Sequence, residues 1–239
     1  MYTLRRNLLT VGKVHESART TWLGHLQWVA VMAIVGLAVP AVFVGIFQLP
    51  RNIYLVFYFG LMGAFLYGYV RWSALDLEKL FSEHWGWGLV GGAFVSLFAV
   101  KTVLMQPASP TPQGLELGFD LAWLGLIYGS MDGLVLSVMP VYATWQALTM
   151  LGWTKRWPGR LATGVLAILA SMLVIGLYHL GYPEFRGPQV LIVIVGVSVQ
   201  SLVYLLSRSP LAPVICHIAM HIAAVLYGIN SVSQLPPHY

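Results

Sequence analysis

His217 and His221 stand four residues apart in Ser209-Pro210-Leu211-Ala212-Pro213-Val214-Ile215-Cys216-His217-Ile218-Ala219-Met220-His221. On a helix that spacing puts both imidazoles on one face. The flanking residues are apolar enough to bury that face, and ionisable side chains inside a membrane are costly and mark functional positions. His179 closes a second apolar helix, Ile175-Gly176-Leu177-Tyr178-His179, so the question is whether the three histidines form one site. The i, i+4 pair has the spacing of a two-histidine metal face, with His179 as a third nitrogen; imidazole suits Zn, Cu, Fe and Ni and ligates haem. The motif lacks the glutamate of the metalloprotease helix. The plain alternative is that these imidazoles bond one another, Tyr178 or backbone carbonyls, as buried imidazoles usually do.

The elements that must carry these residues are membrane helices. Hydrophobic residues make up 58% of the 239 and charged ones 9%, where soluble chains average roughly a quarter charged; mean hydropathy is +0.76. The chain is therefore expected to be an all-α, polytopic transmembrane bundle. Its first apolar segment is too long for a signal-peptide core and no small-residue cleavage site follows, so it reads as a retained span. The lone cysteine, Cys216, excludes an intrachain disulfide. The net charge of +5 lies mostly in Arg5, Arg6, Lys13 and Arg19 and in Lys155, Arg156 and Arg160. Those clusters read as positive-inside anchors, without the continuous basic face that nucleic acid requires.

In chain order, residues 1–21 read as a cytoplasmic amphipathic lead-in and 22–105 as three transmembrane helices. Pro40 is expected to kink the first helix. Asp76, Glu78, Lys79, Glu83 and His84 fall in a short amphipathic connection, and Lys101 is near enough to a helix end to snorkel. Residues 106–114 form a Pro-rich loop, 115–230 a helical core and 231–239 a tail. Leu115 to Trp153 is 39 residues, about twice one crossing at ~1.5 Å per residue. A break is expected at Gly129-Ser130-Met131-Asp132-Gly133, giving eight membrane helices, with Asp132 either N-capping the next helix or facing a cavity. If the segment ending at Asp132 does not cross fully, there are seven crossings and the basic loop 155–160 moves to the cytoplasmic side. Trp85, Trp87, Trp153 and Trp157 read as an interfacial belt. Glu116 and Asp120 read as caps or as the lining of an outer mouth, and His25 as a hydrated interfacial residue.

From about Asp132 to His221 the residues resemble the CPBP family, CAAX proteases and bacteriocin-processing enzymes, a fold of glutamate-dependent intramembrane proteases with non-proteolytic members. Ser209, Leu211, Pro213 and His217 match its Ser-Leu…Pro…His motif. His179, ahead of Tyr182-Pro183, matches a second motif in which Ile175 replaces phenylalanine. The family's Glu-Glu pair is missing from the chain; Met131-Asp132 offers one acid near its place, with Leu136 where the arginine would be. In an alternative register Met139-Pro140 replaces the pair. His221 stands where the family has asparagine. The resemblance implies a glutamate that activates water and His and Asn groups that hold an oxyanion. Asp132 is one methylene shorter than glutamate, and ~1 Å of misplacement can cost about a hundredfold.

The reading favoured is a protein with a CPBP-like fold that is not catalytic, that requires no cofactor and that binds other transmembrane helices as a subunit, assembly factor or regulator of a membrane complex. Gly36, Gly60, Gly63, Gly91, Gly92 and Gly196 would allow the close helix approach. Its expected surroundings are the lipid bilayer of a bacterial inner membrane, other transmembrane proteins and no nucleic acid. The alternative is an active peptidase or metal-using hydrolase built on Asp132, His179, His217 and His221.

Overall fold

The structure, a computed structural model, describes residues 20–237. Of the lead-in expected over 1–21, residues 1–19 with Arg5, Arg6, Lys13 and Arg19 lie outside the described residues. Among the described residues there are helices and no strands, so the all-α expectation holds.

Helix α1 (Trp22–Ile46) starts where Thr21 Oγ1 accepts the Gly24 N–H at 3.0 Å, the usual N-cap bond. Pro40 brings no N–H into the ladder, and the chain continues as a π-helical stretch over Ala41–Ile46. The other helices are α2 (Arg51–Ser73), α3 (Leu77–Ser82), α4 (Trp85–Leu104), α5 (Gly114–Met150), α6 (Trp157–Leu180), α7 (Gln189–Ser207) and α8 (Leu211–Gly228). Asp76 caps the short, exposed α3 by accepting the Lys79 N–H at 2.9 Å. All except α3 are long and apolar enough to cross a membrane, which makes seven among the described residues.

The expected break inside α5 does not occur. Gly129 and Asp132 have helical backbone angles (φ −59°, ψ −38° and φ −59°, ψ −47°), and π-helical stretches at Leu121–Tyr128 and Gly133–Val138 carry the helix through. Propensity argued for a break because glycine costs ~1 kcal/mol in a helix interior; packing decides otherwise. Gly125, Gly129 and Gly133 form a stripe at four-residue spacing, and α8 lies on it antiparallel. A Cβ on these glycines would meet Ile222 Cγ1 at 2.8 Å, Ile218 Cα at 2.9 Å and Val214 Cα at 2.8 Å, respectively. The glycines that looked like a hinge are the close-approach surface of one long helix.

On another face of α8, α4 presents Gly88 against Ser209 and Gly92 against Ile215 Cβ, where an added Cβ would sit 3.0 Å away. Gly91 meets Val203 of α7 at 2.8 Å. Of the glycines expected to permit close approach, Gly91 and Gly92 do so, Gly36 and Gly63 make ordinary contacts, and Gly60 and Gly196 have nothing within 4 Å.

Seven crossings place Arg71, Lys79, Lys155, Arg156, Arg160 and Arg208 at one end of the bundle and Arg51, Lys101 and Arg186 at the other. Trp85, Trp87, Trp153 and Trp157 lie exposed at the basic end, as an interfacial belt requires. Val90, Phe94 and Leu97 of α4 and Leu191, Ile192 and Val195 of α7 face outward. Such surfaces need hydrocarbon around them, and the protein is a multi-pass integral membrane protein.

Candidate functional site

Asp132 lies halfway along α5 and is 4% exposed. It makes no N-cap bond, since the helix runs on past it; its carboxylate turns into the bundle. Tyr58 of α2 donates its hydroxyl to Oδ1 at 2.6 Å, and His221 Nε2 stands 3.5 Å from Oδ2. That second separation exceeds the ordinary N–H···O range, and neither ring nitrogen of His221 has a hydrogen-bond partner. His221 also takes the edge of the Tyr128 ring, with centroids 4.7 Å apart and planes at 80°.

One turn away, His217 is equally buried and roughly parallel to His221, with centroids 6.3 Å apart and planes at 18°. Its Nδ1–H donates to the Pro213 carbonyl at 3.0 Å. A carbonyl can only accept, so Nδ1 carries a proton; in the neutral ring the lone pair is then on Nε2. His179 repeats the pattern by donating Nδ1–H to the Ile175 carbonyl at 2.9 Å. Its ring neighbours are Phe185, Tyr178 and Tyr182, at 4.7, 5.1 and 6.3 Å. The structure thus brings Asp132, His221 and His217 together, with His179 beside them on a tyrosine cluster. Backbone carbonyls hold two of the three histidines; Tyr178 is bonded elsewhere.

That cluster had no place in the reading of the sequence. Tyr54, Tyr182 and Tyr178 form a ring of hydroxyls: Tyr54 to Tyr182 at 2.6 Å, Tyr182 to Tyr178 at 2.7 Å and Tyr178 to Tyr54 at 3.3 Å. Tyr128 joins at Tyr178 with 2.9 Å. Four hydroxyl protons serve four links, which satisfies a set of phenols that are each at most 3% exposed. The signal for it was present: Tyr54 and Tyr58, and likewise Tyr178 and Tyr182, repeat the i, i+4 spacing of the histidine pair, and a phenol inside a span needs a partner. Two further residues find their places. His25 is 5% exposed, with Nδ1 3.0 Å from the Tyr69 hydroxyl, and lies buried where an interfacial position was expected. Asp120 is buried and makes no cap bond, whereas Glu116 is exposed.

Among the described residues, no group of three or more His, Cys, Asp or Glu side chains is placed to hold a metal ion. As placed, the three histidines are not such a group. What remains is a lone carboxyl group with one phenol donor and two imidazoles. In principle the carboxyl group could accept a proton and His217 Nε2 could take another; both need water or substrate within hydrogen-bond reach.

A protein-family model described as type II CAAX prenyl endopeptidase Rce1-like matches residues 76–223, well over half of the chain. The resemblance read from the histidine motifs is thereby borne out. No curated protein and no solved structure matches the chain. The matched stretch contains Asp132, His179, His217 and His221; Tyr54 and Tyr58 lie outside it.

Proposed function

The chain belongs to the type II CAAX prenyl endopeptidase Rce1-like family, and on that premise we propose that it is a non-catalytic member that binds other transmembrane helices as a subunit, assembly factor or regulator of a membrane complex. One observation carries this reading: the acid nearest the expected base is Asp132, and Tyr58 takes up its carboxyl group, with His221 3.5 Å away, in an interior lined by phenols. A general base must reach a water in a defined position. Asp132 falls short by a methylene and already accepts a 2.6 Å bond. The lipid-facing helices are then the main surface left for function, and the basic end is assigned to the cytoplasmic side of a bacterial inner membrane. Extraction in mild detergent followed by native mass measurement tests the proposal. A stable complex with another membrane polypeptide is expected, and a lone monomer would count against it.

A second reading is favoured by the contact of His221 with Asp132 and by the available Nε2 of His217. It is a peptidase or hydrolase of variant mechanism that uses Asp132, His179, His217 and His221. Hydrolysis of a prenylated CAAX peptide that is lost in His217→Ala would support it, and unchanged activity in that variant would remove it.

A further inference from the structure

After α8 the chain stays on the bundle. Residues 229–237 turn back across the end opposite the basic one, where α2 and α5 begin and α4 finishes. Two kinds of contact hold them there. On one side the segment is stitched to the loop between α4 and α5: the Asn230 N–H donates to Ser109 Oγ at 3.2 Å, the Ser233 N–H to Gln106 Oε1 at 2.8 Å, and Gln106 Nε2 to Gln234 Oε1 at 2.7 Å. On the other, every third residue enters the apolar core, with Ile229 and Val232 6% exposed and Leu235 4%. Pro236 makes a further attachment. Arg51, which opens α2 and is itself buried, donates its Nε–H to the Pro236 carbonyl at 2.6 Å.

Polar groups lie directly beneath this cover. Arg51 stands one turn from Tyr54 of the tyrosine ring, and the buried Asp120 of α5 attracts it with the opposite charge. Val103 is fully buried although only Leu104 follows it in α4. Among the described residues, Arg51 Nη1 and both ring nitrogens of His221 have no hydrogen-bond partner, and buried groups of that kind take up water that can reach them. We infer that residues 229–237 are a seal, locked by Arg51, that keeps water at this end of the bundle away from the tyrosine ring and Asp132. The attachments are unequal. The bonds to Ser109 and Gln106 lie at the surface, where water competes for both partners and the net gain is small. The Arg51 bond is buried and made by a charged donor, and Leu235 is a buried apolar peg, so these two decide closure. The seal is independent of whether the chain binds helices or hydrolyses a peptide.

The test uses the full chain in liposomes with a membrane-impermeant maleimide on both faces, and labelling is read by mass. Two reporters are made separately in a Cys216→Ser background. Val103→Cys lies under the seal, and Val141→Cys replaces a residue 1% exposed in the basic half of α5; both keep the side chain close to its original size. With the segment unaltered, both positions should resist labelling. Arg51→Met and Leu235→Asp should each raise the labelling rate at position 103 about tenfold or more, the shift in open population that one buried bond to a charged group carries, and should leave position 141 protected. Rapid labelling at position 103 behind the unaltered segment would overturn the seal. So would a rate there indifferent to both substitutions, or an equal gain at position 141, which would mean that the whole bundle had loosened. The search for a partner polypeptide and the peptide hydrolysis assay are untouched by any of these results, so the seal can fail without either reading of function failing with it.

Discussion

Toward α8, helix α5 presents Gly125, Gly129 and Gly133, and the two backbones approach within touching distance; toward α2 it presents Met131 and Asp132 and is reached by the ends of side chains. The two contacts use different physics. Bilayer lipid is as apolar as leucine, so helix association there rests on close packing and on polar bonds. The α5–α8 contact is of the first kind, continuous over two helical turns and dependent on the absence of Cβ atoms. The α5–α2 contact is made by side chains, with one phenol bond from Tyr58 to Asp132 and the Phe59 ring packed on Trp123. The first holds the histidines of α8 at a fixed height beside Asp132.

This contrast can be broken at several points. The largest effect is expected from Gly129→Leu, because its Cβ would stand 2.9 Å from Ile218 Cα and 3.1 Å from the His217 carbonyl, backbone atoms that cannot swing aside. Overpacking of that kind costs ~3 kcal/mol or more, and the monodisperse peak in size-exclusion chromatography should be lost. Tyr58→Phe leaves Asp132 with only His221 at 3.5 Å, a loss of ~2 kcal/mol for a buried acceptor deprived of its donor; a lowered thermal midpoint with the fold retained is the outcome. If Tyr58→Phe proves as damaging as Gly129→Leu, α2 is scaffold after all and the contrast collapses. Tyr54→Phe removes one member of a ring whose other links persist and should cost ~1 kcal/mol. Gly60→Ala adds a methyl to open space and should stay within ~0.5 kcal/mol; a larger drop would mean that a helix packs there.

Much of this could be read from the chain. The helical class, the positions of the spans, the burial of His217 and His221 on one face and the tryptophan belt follow from composition and period, which report local environment. Two misreadings have a common origin. Gly129 and Gly133 signalled a break because propensity is local, whereas their role is set by Ile218 and Val214, more than 80 positions away in the chain. The Tyr58–Asp132 bond joins residues 74 apart, and a phenol counts as apolar in hydropathy until its hydroxyl is asked for a partner. His25 sits near a helix end, a position that suggests contact with water, yet Tyr69 and Trp72 of the neighbouring helix cover it. In a membrane interior polar side chains find one another across long sequence separations, and a periodic pattern contains no term for that.

The central claim is that Asp132 is engaged as a holding point for helices and is not a catalytic base. It is tested most directly by assaying the purified chain for hydrolysis of a prenylated CAAX peptide beside its Asp132→Asn variant. The account predicts no turnover above background in either. Turnover by the native chain that disappears in Asp132→Asn, with the folded state retained, would contradict it.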